Sequence, residues 1–307
     1  MNITKPDWFG FRSNGEIPEI TESLAGCFAL SGNDFNVVRR KSGWMGFKSS
    51  ANLCIGDMVV GMMAYGGDSQ RGSVTINITG KGCEWVADWG QAQDSVMSLP
   101  GYEVRRLDIA LDTFKREVTH TKVVQAYRSG LFNLIGAGRP PSMTKIEPED
   151  YYEGATAYVG SRENAKFLRA YEKGYQMVKS FPRHLNIQAI NGIPIADMYR
   201  LELELKAKQG PLPLDLIDKR DQYFAGAYPY LQTVLDVKPE VFVQRREKGP
   251  QSDLAAMLEH VRFQYGNTLF TALMAHGGDI GAVWEKIVGR KHNETLLAAG
   301  VLLVEHE

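Results

Sequence analysis

The segment Arg106-Leu-Asp-Ile-Ala-Leu-Asp112 alternates charged or small side chains with large apolar ones. Because successive side chains of a β-strand point to opposite faces, Leu107, Ile109 and Leu111 would share one face of a strand. The charged residues would share the other face. An antiparallel sheet commonly packs one face on the core and leaves the other polar. The segment therefore predicts a sheet with one charged face.

Two later segments, 167–173 and 199–206, repeat this alternation. The polar face of the first carries Arg169, Tyr171 and Lys173. The polar face of the second carries Arg200, Glu202, Glu204 and Lys206. If the three strands lie in one sheet, their carboxylates converge near one tyrosine and several cations.

The rest of the chain divides near residue 210. Before it, apolar alternation at 72–80 and the stretch 59–65 predict a β-hairpin, and short helices fit 85–99 and 122–132. After residue 213, helical spacing takes over, in segments that begin at 252, 268, 280 and 294. We predict an α+β fold: a mainly antiparallel β-sheet body with packed helices over 1–210, and a helical C-terminal region over 211–307. Two similar halves are one arrangement that the body allows.

Composition excludes several classes of protein. The net charge of −1 argues against a protein that coats nucleic acid by electrostatics alone, although residues 158–184 carry six cations and two anions, a local +4. Three irregularly spaced cysteines form neither a disulfide framework nor a CxxC site. With no secretory signal and no run of apolar residues long enough for a membrane span, we expect a cytoplasmic protein without membrane contact.

Histidine and glycine motifs narrow the choice further. No His-hydrophobe-His pair occurs, which argues against the nickases that use a histidine metal site. No GxxxxGK[ST] loop occurs either, so we expect no ATPase or helicase motor in the chain.

The acidic residues of the charged strands permit two interpretations. Carboxylates placed together repel one another, so a divalent cation with a preference for oxygen ligands, Mg²⁺ or Mn²⁺, is one way to stabilise them. Cross-strand ion pairs with Arg106, Arg200 and Lys206 on an ordinary solvated face are the other. The alternation alone does not decide between them.

The order of the charged segments resembles the Rep-trans family of replication initiation factors, found in rolling-circle plasmids, integrative elements and filamentous phages. The matching segments are Arg106–Asp112, Tyr158-Val-Gly-Ser-Arg162, Arg169-Ala-Tyr-Glu-Lys173 and Arg200–Lys206. Two earlier segments resemble the phage branch: Asp7-Trp-Phe9 and Gly80-Lys-Gly-Cys83. The resemblance covers roughly residues 5–210.

This resemblance implies a site-specific DNA endonuclease and strand transferase, a topoisomerase-like tyrosine nickase. Such an enzyme forms a 5′-phosphotyrosine link and frees a 3′ hydroxyl primer. By position the nucleophile is Tyr171, with Tyr158 as its rival, and Arg169 and Lys173 would stabilise charge. The implied ligands of Mg²⁺ or Mn²⁺ are Asp108, Glu202, Glu204 and, as a fourth candidate, Asp112. Either Glu204 or Asp112 could instead act as a base.

The resemblance also implies partners. The expected partner is origin DNA, both double-stranded and as a melted or hairpin single strand, contacted by Arg162, Lys166 and Arg106. Members often form homodimers and recruit a host helicase. Two alternatives stay open: an origin-binding protein of the same descent that does not cleave DNA, and a glycosidase that uses a carboxylate pair.

Overall fold

The computed structural model describes residues 3–28, 34–133, 140–150, 153–208, 210–241 and 254–292. The chain forms two compact units, Met1–Arg245 and Arg246–Glu307, so the first unit extends beyond the change in sequence character at residue 210. The helix predicted from residue 294 lies outside the described residues.

Strands dominate the described part of the first unit. The strands are β1 (Lys5–Ser13), β2 (Phe35–Arg39), β3 (Ser49–Ile55), β4 (Met58–Tyr65), β5 (Val74–Ile78), β6 (Glu103–Thr113), β7 (Met143–Ile146), β8 (Thr156–Val159), β9 (Lys166–Tyr171), β10 (Ala189–Ile190), β11 (Ile193–Pro194) and β12 (Tyr199–Lys206). The helices are α1 (Ile17–Cys27), α2 (Gly80–Cys83), α3 (Trp89–Met97), α4 (His120–Arg128), α5 (Lys173–Val178), α6 (Arg220–Ala227) and α7 (Pro229–Val234).

Ten of these strands form one antiparallel sheet, in the order β2-β3-β4-β5-β1-β6-β12-β9-β8-β7. The order β2-β3-β4-β5-β1 in one half corresponds to β7-β8-β9-β12-β6 in the other. A helix follows the first strand of each half, α1 after β1 and α4 after β6. The sheet therefore consists of two topologically equivalent halves that meet along the β1–β6 pair.

The apolar face of the sheet carries the hydrophobic core. Leu107, Ile109, Leu201, Leu203 and Leu205 are completely buried in it, as their alternation predicts. The same cluster contains residues from the covering helices, among them Ile20, Leu24, Val96, Val123, Phe224 and Leu231. The prediction of an α+β fold built on an antiparallel sheet is confirmed.

The predicted strand 167–173 is shorter in the structure. β9 ends at Tyr171, and α5 begins at Lys173. Gly174, in the first turn of α5, lies so close to the backbone of Ile195 that a Cβ atom would overlap it. Because the chain turns into this packed helix, Lys173 does not continue the polar face of the strand.

The second unit is helical where it is described. One continuous helix, α8 (Leu254–Ala275), replaces the two helices predicted from residues 252 and 268. The next helix, α9 (Ile280–Ile287), is capped by Asp279, whose carboxylate accepts a hydrogen bond from the backbone N–H of Ala282 at 3.1 Å. Over the described ranges of the whole chain, no helix is both long and apolar enough to cross a membrane.

A buried carboxylate joins the beginning of the chain to α6. Asp221 is 4% exposed and accepts hydrogen bonds from the backbone N–H groups of Ile3 at 2.7 Å and Thr4 at 2.8 Å. The hydroxyl of Thr4 also donates to it, at 2.5 Å. A buried donor that loses its acceptor keeps the full cost of leaving water. Asp221 therefore fastens α6 to the residues just before the first strand of the sheet.

Replacing Asp221 with alanine should destabilise the first unit. We expect the Asp221→Ala variant to lose about 3 kcal/mol of unfolding free energy, because the buried N–H and hydroxyl of Thr4 and the part-buried N–H of Ile3 lose a charged acceptor. Urea unfolding followed by circular dichroism measures this loss. The control is Asp236→Ala at an exposed position, which we expect to change stability by less than about 0.5 kcal/mol. Equal stability of the two variants would contradict the role given to Asp221.

Candidate active site on the charged face of the sheet

The three charged strands are neighbours, in the order β6-β12-β9. Their register places Glu204 opposite Asp108 and Arg200 opposite Asp112. On the other side of β12, Glu202 lies opposite Arg169, and Arg200 lies opposite Tyr171. The convergence predicted from the alternation is therefore present in the structure.

Three carboxylates, the acid trio, occupy the centre of this face: Asp108, Glu202 and Glu204. They are only 2%, 1% and 3% exposed, which is incompatible with an ordinary solvated face. Arg106 joins two of them, donating from Nε and Nη2 to Asp108 at 2.8 and 2.7 Å and from Nη2 to Glu204 at 2.8 Å. The cross-strand ion pair expected of Arg106 is thus formed with Glu204, alongside a pair with Asp108 on its own strand, and both carboxylates are buried.

Tyr171 is hydrogen-bonded to the third member of the trio. Its hydroxyl donates to Oε2 of Glu202 at 3.1 Å, while Oε1 of Glu202 pairs with Arg169. Burial raises the pKa of the Tyr171 hydroxyl above its usual range, negative Glu202 adds to the rise, and Arg200 opposes it. The hydroxyl is therefore protonated at neutral pH and already directed at a carboxylate that can accept its proton.

Arg200 forms a second cluster beside the tyrosine. It donates to both oxygens of Asp112, from Nε at 2.5 Å and Nη2 at 2.7 Å, and from Nη1 to Asp7 at 2.8 Å. Lys5 pairs with Asp112 at 2.9 Å. Burial alone would raise the pKa of Asp112, but Arg200 and Lys5 outweigh it and hold that pKa below its ordinary value. Asp112 thus belongs to this cluster and not to the acid trio.

Two residues of this cluster were missed as site residues at the sequence level. Asp7 lies in the segment Asp7-Trp-Phe9, whose resemblance to phage initiators assigns it no role. Lys5 carried no signal of its own, because its place depends on the pairing of β1 with β6. Pro6 and Trp8 also flank a register shift in that pairing, which no alternation pattern reveals.

The position of Lys173 differs from the prediction. It was expected on the strand face beside Tyr171, whereas it is the first residue of α5. Its ammonium lies 5.9 Å from the centre of the Tyr171 ring and donates to Oε1 of Gln176 at 2.8 Å. Burial lowers the pKa of Lys173, and nearby Arg200 lowers it further. Lys173 therefore approaches the tyrosine ring from the helix.

Two residues predicted to contact DNA, Arg162 and Lys166, differ in how far they are exposed. Arg162 is exposed and lies over the ring of Phe167 at 5.5 Å. Lys166 is half-buried: it donates to the carbonyl of Ala227 at 2.5 Å and lies 4.2 Å from the centre of the Tyr228 ring. Burial lowers the pKa of Lys166 to about 8. The amine of Lys166 thus binds the junction of α6 and α7, and its contact with DNA stays a prediction.

The rival nucleophile, Tyr158, lies on the neighbouring strand β8. It is opposite Arg169 in register, half-buried, and stacked on Phe167 with ring centres 5.7 Å apart. The turn that follows it contains Gly160, whose φ of +87° suits glycine. In the same turn Ser161 accepts a hydrogen bond from the N–H of Glu163 at 3.2 Å, as in an ordinary hairpin. No acid of the trio contacts the Tyr158 hydroxyl among the hydrogen bonds of the described residues.

The chemistry of the acid trio suits a divalent metal, but Arg106 and Arg169 already pair with its carboxylates. Burial raises the pKa of Asp108 to about 6, and Glu204 and Glu202 add to the rise although Arg106 opposes it. Oε1 of Glu204 is buried and accepts no hydrogen bond, although Lys206 forms an ion pair with it. Crowded carboxylates suit a hard cation with a preference for oxygen ligands. In the described part of the chain, however, no three His, Cys, Asp or Glu residues are grouped as a metal site.

Comparison with solved structures supports the fold. The chain is similar to a rolling circle replication initiator protein from Geobacillus stearothermophilus, with a TM-score of 0.53 and 18% identity. The similarity covers 84% of this chain and 96% of that one. No curated protein matches the sequence.

A family model described as "Replication initiation factor" matches residues 102–263, more than half of the 307 residues. The matched range contains the acid trio, Tyr171 and Arg200. It leaves the glycosidase alternative without support. The chain therefore belongs to the replication initiation factor family.

Proposed function

We propose that this chain initiates rolling-circle replication by binding an origin and nicking one DNA strand through Tyr171. The observation that carries the proposal is the Tyr171 hydroxyl, which donates to buried Glu202 between two arginines. Arg169 pairs with that glutamate, and Arg200 lies opposite the tyrosine in register. A nucleophile, a proton acceptor and two cations are the groups that phosphoryl transfer requires.

In the proposed reaction the Tyr171 oxygen attacks the scissile phosphorus. Because the pKa of the hydroxyl is raised, the proton must leave during the attack, and Oε2 of Glu202 is placed to accept it. A phosphorus–tyrosine oxygen bond forms and the bond to the 3′ oxygen breaks, with that oxygen taking a proton from water. Arg169 and Arg200 stabilise the negative charge of the transition state. The products are a 5′-phosphotyrosine link and a 3′ hydroxyl that primes synthesis.

We further propose that Asp108, Glu202 and Glu204 hold the Mg²⁺ or Mn²⁺ ion. Carboxylate oxygens are the ligands that these ions prefer. Such an ion would supply positive charge at the scissile phosphate. To hold it, the trio would give up part of its contacts with Arg106 and Arg169. Asp112 is assigned instead to positioning Arg200, since both of its oxygens bind that arginine.

The proposed DNA partner is an origin, double-stranded and then melted or folded as a hairpin. Exposed Arg162 and Arg106, whose side chain is 30% exposed, are the proposed phosphate contacts. Lys173 would add charge near the tyrosine. A host helicase and a second copy of the chain are further proposed partners, and the cytoplasm is the proposed compartment. The second candidate function is an initiator that binds its origin without cleaving it.

Replacing Tyr171 with phenylalanine should abolish the covalent DNA–protein adduct. The change removes the attacking oxygen and keeps the ring, so folding and DNA binding should persist. The protein is incubated with Mg²⁺ or Mn²⁺ and supercoiled DNA that contains the origin. Denaturing electrophoresis then detects the adduct and the nicked circle. The matched control is Tyr65→Phe on β4, five strands away from β9, which should form the adduct as the natural chain does.

The same assay separates the alternatives. An adduct that persists in Tyr171→Phe and disappears in Tyr158→Phe would transfer the nucleophile to Tyr158. Origin binding by the natural chain with neither nick nor adduct would support the non-cleaving initiator. Both outcomes would overturn the assignment of Tyr171.

Two glutamates of the acid trio should respond differently to substitution. We expect Glu204→Gln to raise the Mn²⁺ concentration needed for half-maximal nicking at least about ten-fold, because it removes a charged ligand. We expect Glu202→Gln to slow nicking even at saturating Mn²⁺, because Tyr171 also loses its proton acceptor. Nicking rates across a Mn²⁺ titration, with Mn²⁺ binding followed by electron paramagnetic resonance, measure both effects. Nicking that is undiminished in the presence of a chelator would contradict the metal proposal.

A further inference from the structure

A cavity opens beside Tyr171, on the side of β9 that faces β8 and away from β12. Its volume is about 180 Å³, and its walls come from β8, β9, α5 and the residues just before β8. The side chains that matter for its chemistry are Thr156, Tyr158, Arg169, Tyr171, Gln176 and Lys179. The proposed nucleophile, Tyr171, and its rival, Tyr158, thus line the same cavity.

One wall of the cavity is held in place by backbone contacts. Glu172 accepts a hydrogen bond from the N–H of Ala155 at 2.6 Å and donates its own N–H to the Ala155 carbonyl at 3.1 Å. The preceding residue, Gly154, has a φ of +68°, and a Cβ atom there would lie 2.9 Å from the Cβ of Tyr175. A larger residue would strain both the backbone and the packing on α5. The cavity is therefore built into the fold.

An aromatic ring is fixed at the cavity. Tyr158 stacks on Phe167 with an angle of 19° between the rings, and Phe167 is itself buried. Arg162 lies over the ring of Phe167 as well. Tyr158 is half-buried and remains part of the cavity lining. A ring held in this way loses little conformational freedom when a flat ligand packs against it.

The charges around the cavity argue against a phosphate site. Arg169 and Lys179 are balanced by Glu153 and Glu172 in the same lining. Side-chain hydroxyl and amide groups contribute uncharged polar atoms, including those of Thr156. The volume lies below the roughly 300–1,000 Å³ of pockets that enclose whole small molecules. A balanced, polar cavity of this size with one aromatic wall suits a single flat heterocycle.

We propose that this cavity binds the unstacked base of the nucleotide next to the scissile phosphate, with Tyr158 as its stacking surface. The inference rests on the proposed function, since it takes single-stranded DNA as the ligand. Base–aromatic stacking is available to every base, because each has a π-face. Holding one base beside Tyr171 would fix the position of the neighbouring phosphate relative to the attacking oxygen. Tyr158 is thereby a binding residue, distinct from the nucleophile.

The test compares two fluorescent single strands of equal length by anisotropy. One has a mixed base sequence, and the other consists of abasic deoxyribose phosphates. We expect Tyr158→Ala to weaken binding of the base-containing strand about 5- to 150-fold, the range for loss of one stacked base. Binding of the abasic strand should not change. Tyr158→Phe keeps the ring and should bind both strands as the natural chain does.

A second variant controls for the loss of an exposed aromatic side chain. Trp85 is 49% exposed and lies between α2 and α3. We expect Trp85→Ala to leave the affinity for both DNA strands unchanged. Equal weakening of both strands by Tyr158→Ala, or no weakening at all, would overturn the inference. So would a natural chain that binds the abasic strand as tightly as the base-containing one.

These results are separable from the test of the proposed function. Binding is measured without cleavage, so a failure of the adduct assay leaves the anisotropy result standing. Suppose that the natural chain forms the Tyr171 adduct but Tyr158→Ala binds both strands normally. The base-binding inference would then fail, while the nicking mechanism would stand.

Discussion

The cost of burying carboxylates is the constraint on which this structure depends. A carboxylate taken out of water is stable only where cations or hydrogen bonds replace the lost hydration. The acid trio meets this requirement through Arg106, which pairs with Asp108 on its own strand and with Glu204 across to β12, and through Arg169 on β9, which pairs with Glu202 across to β12. The two cross-strand pairs, with Glu204 and Glu202, exist only in one register of the β6-β12-β9 ladder, since a shift of β12 by one residue would turn its charged side chains towards the leucine core. The packing of the core and the pairing of the charges therefore select the same arrangement.

The same electrostatics connects the scaffold with its chemistry. Glu202 is neutralised by Arg169 and at the same time accepts the hydrogen bond of Tyr171. Arg200 lies on the tyrosine's other flank, held by Asp112 and Asp7. Two of the cations that compensate these acids, Arg169 and Arg200, therefore also act on the tyrosine hydroxyl. In the proposed reaction Arg169 and Arg200 already flank the tyrosine when charge develops on a phosphate.

Much of this arrangement could be predicted from alternation alone. Leu107, Ile109 and their counterparts on β12 predicted the core face, because a period of two has one structural meaning. The adjacency of the strands was only a hypothesis, since sequence does not state which strands pair. Lys173 was misplaced because the end of β9 depends on how Gly174 packs against Ile195, a contact distant in sequence. The cavity at Tyr158 was equally hidden, because its walls come from several elements.

The two equivalent halves of the sheet have an evolutionary consequence. A sheet in which one strand order occurs twice around a central antiparallel pair has the form of a duplicated unit fused into one chain. The tyrosine and the acid trio all lie in the second copy, and the family match begins at residue 102, immediately before β6. This coincidence is expected if one copy kept the chemistry after duplication while selection on the other acted on folding. The first copy would then be the natural place for related initiators to differ most from one another.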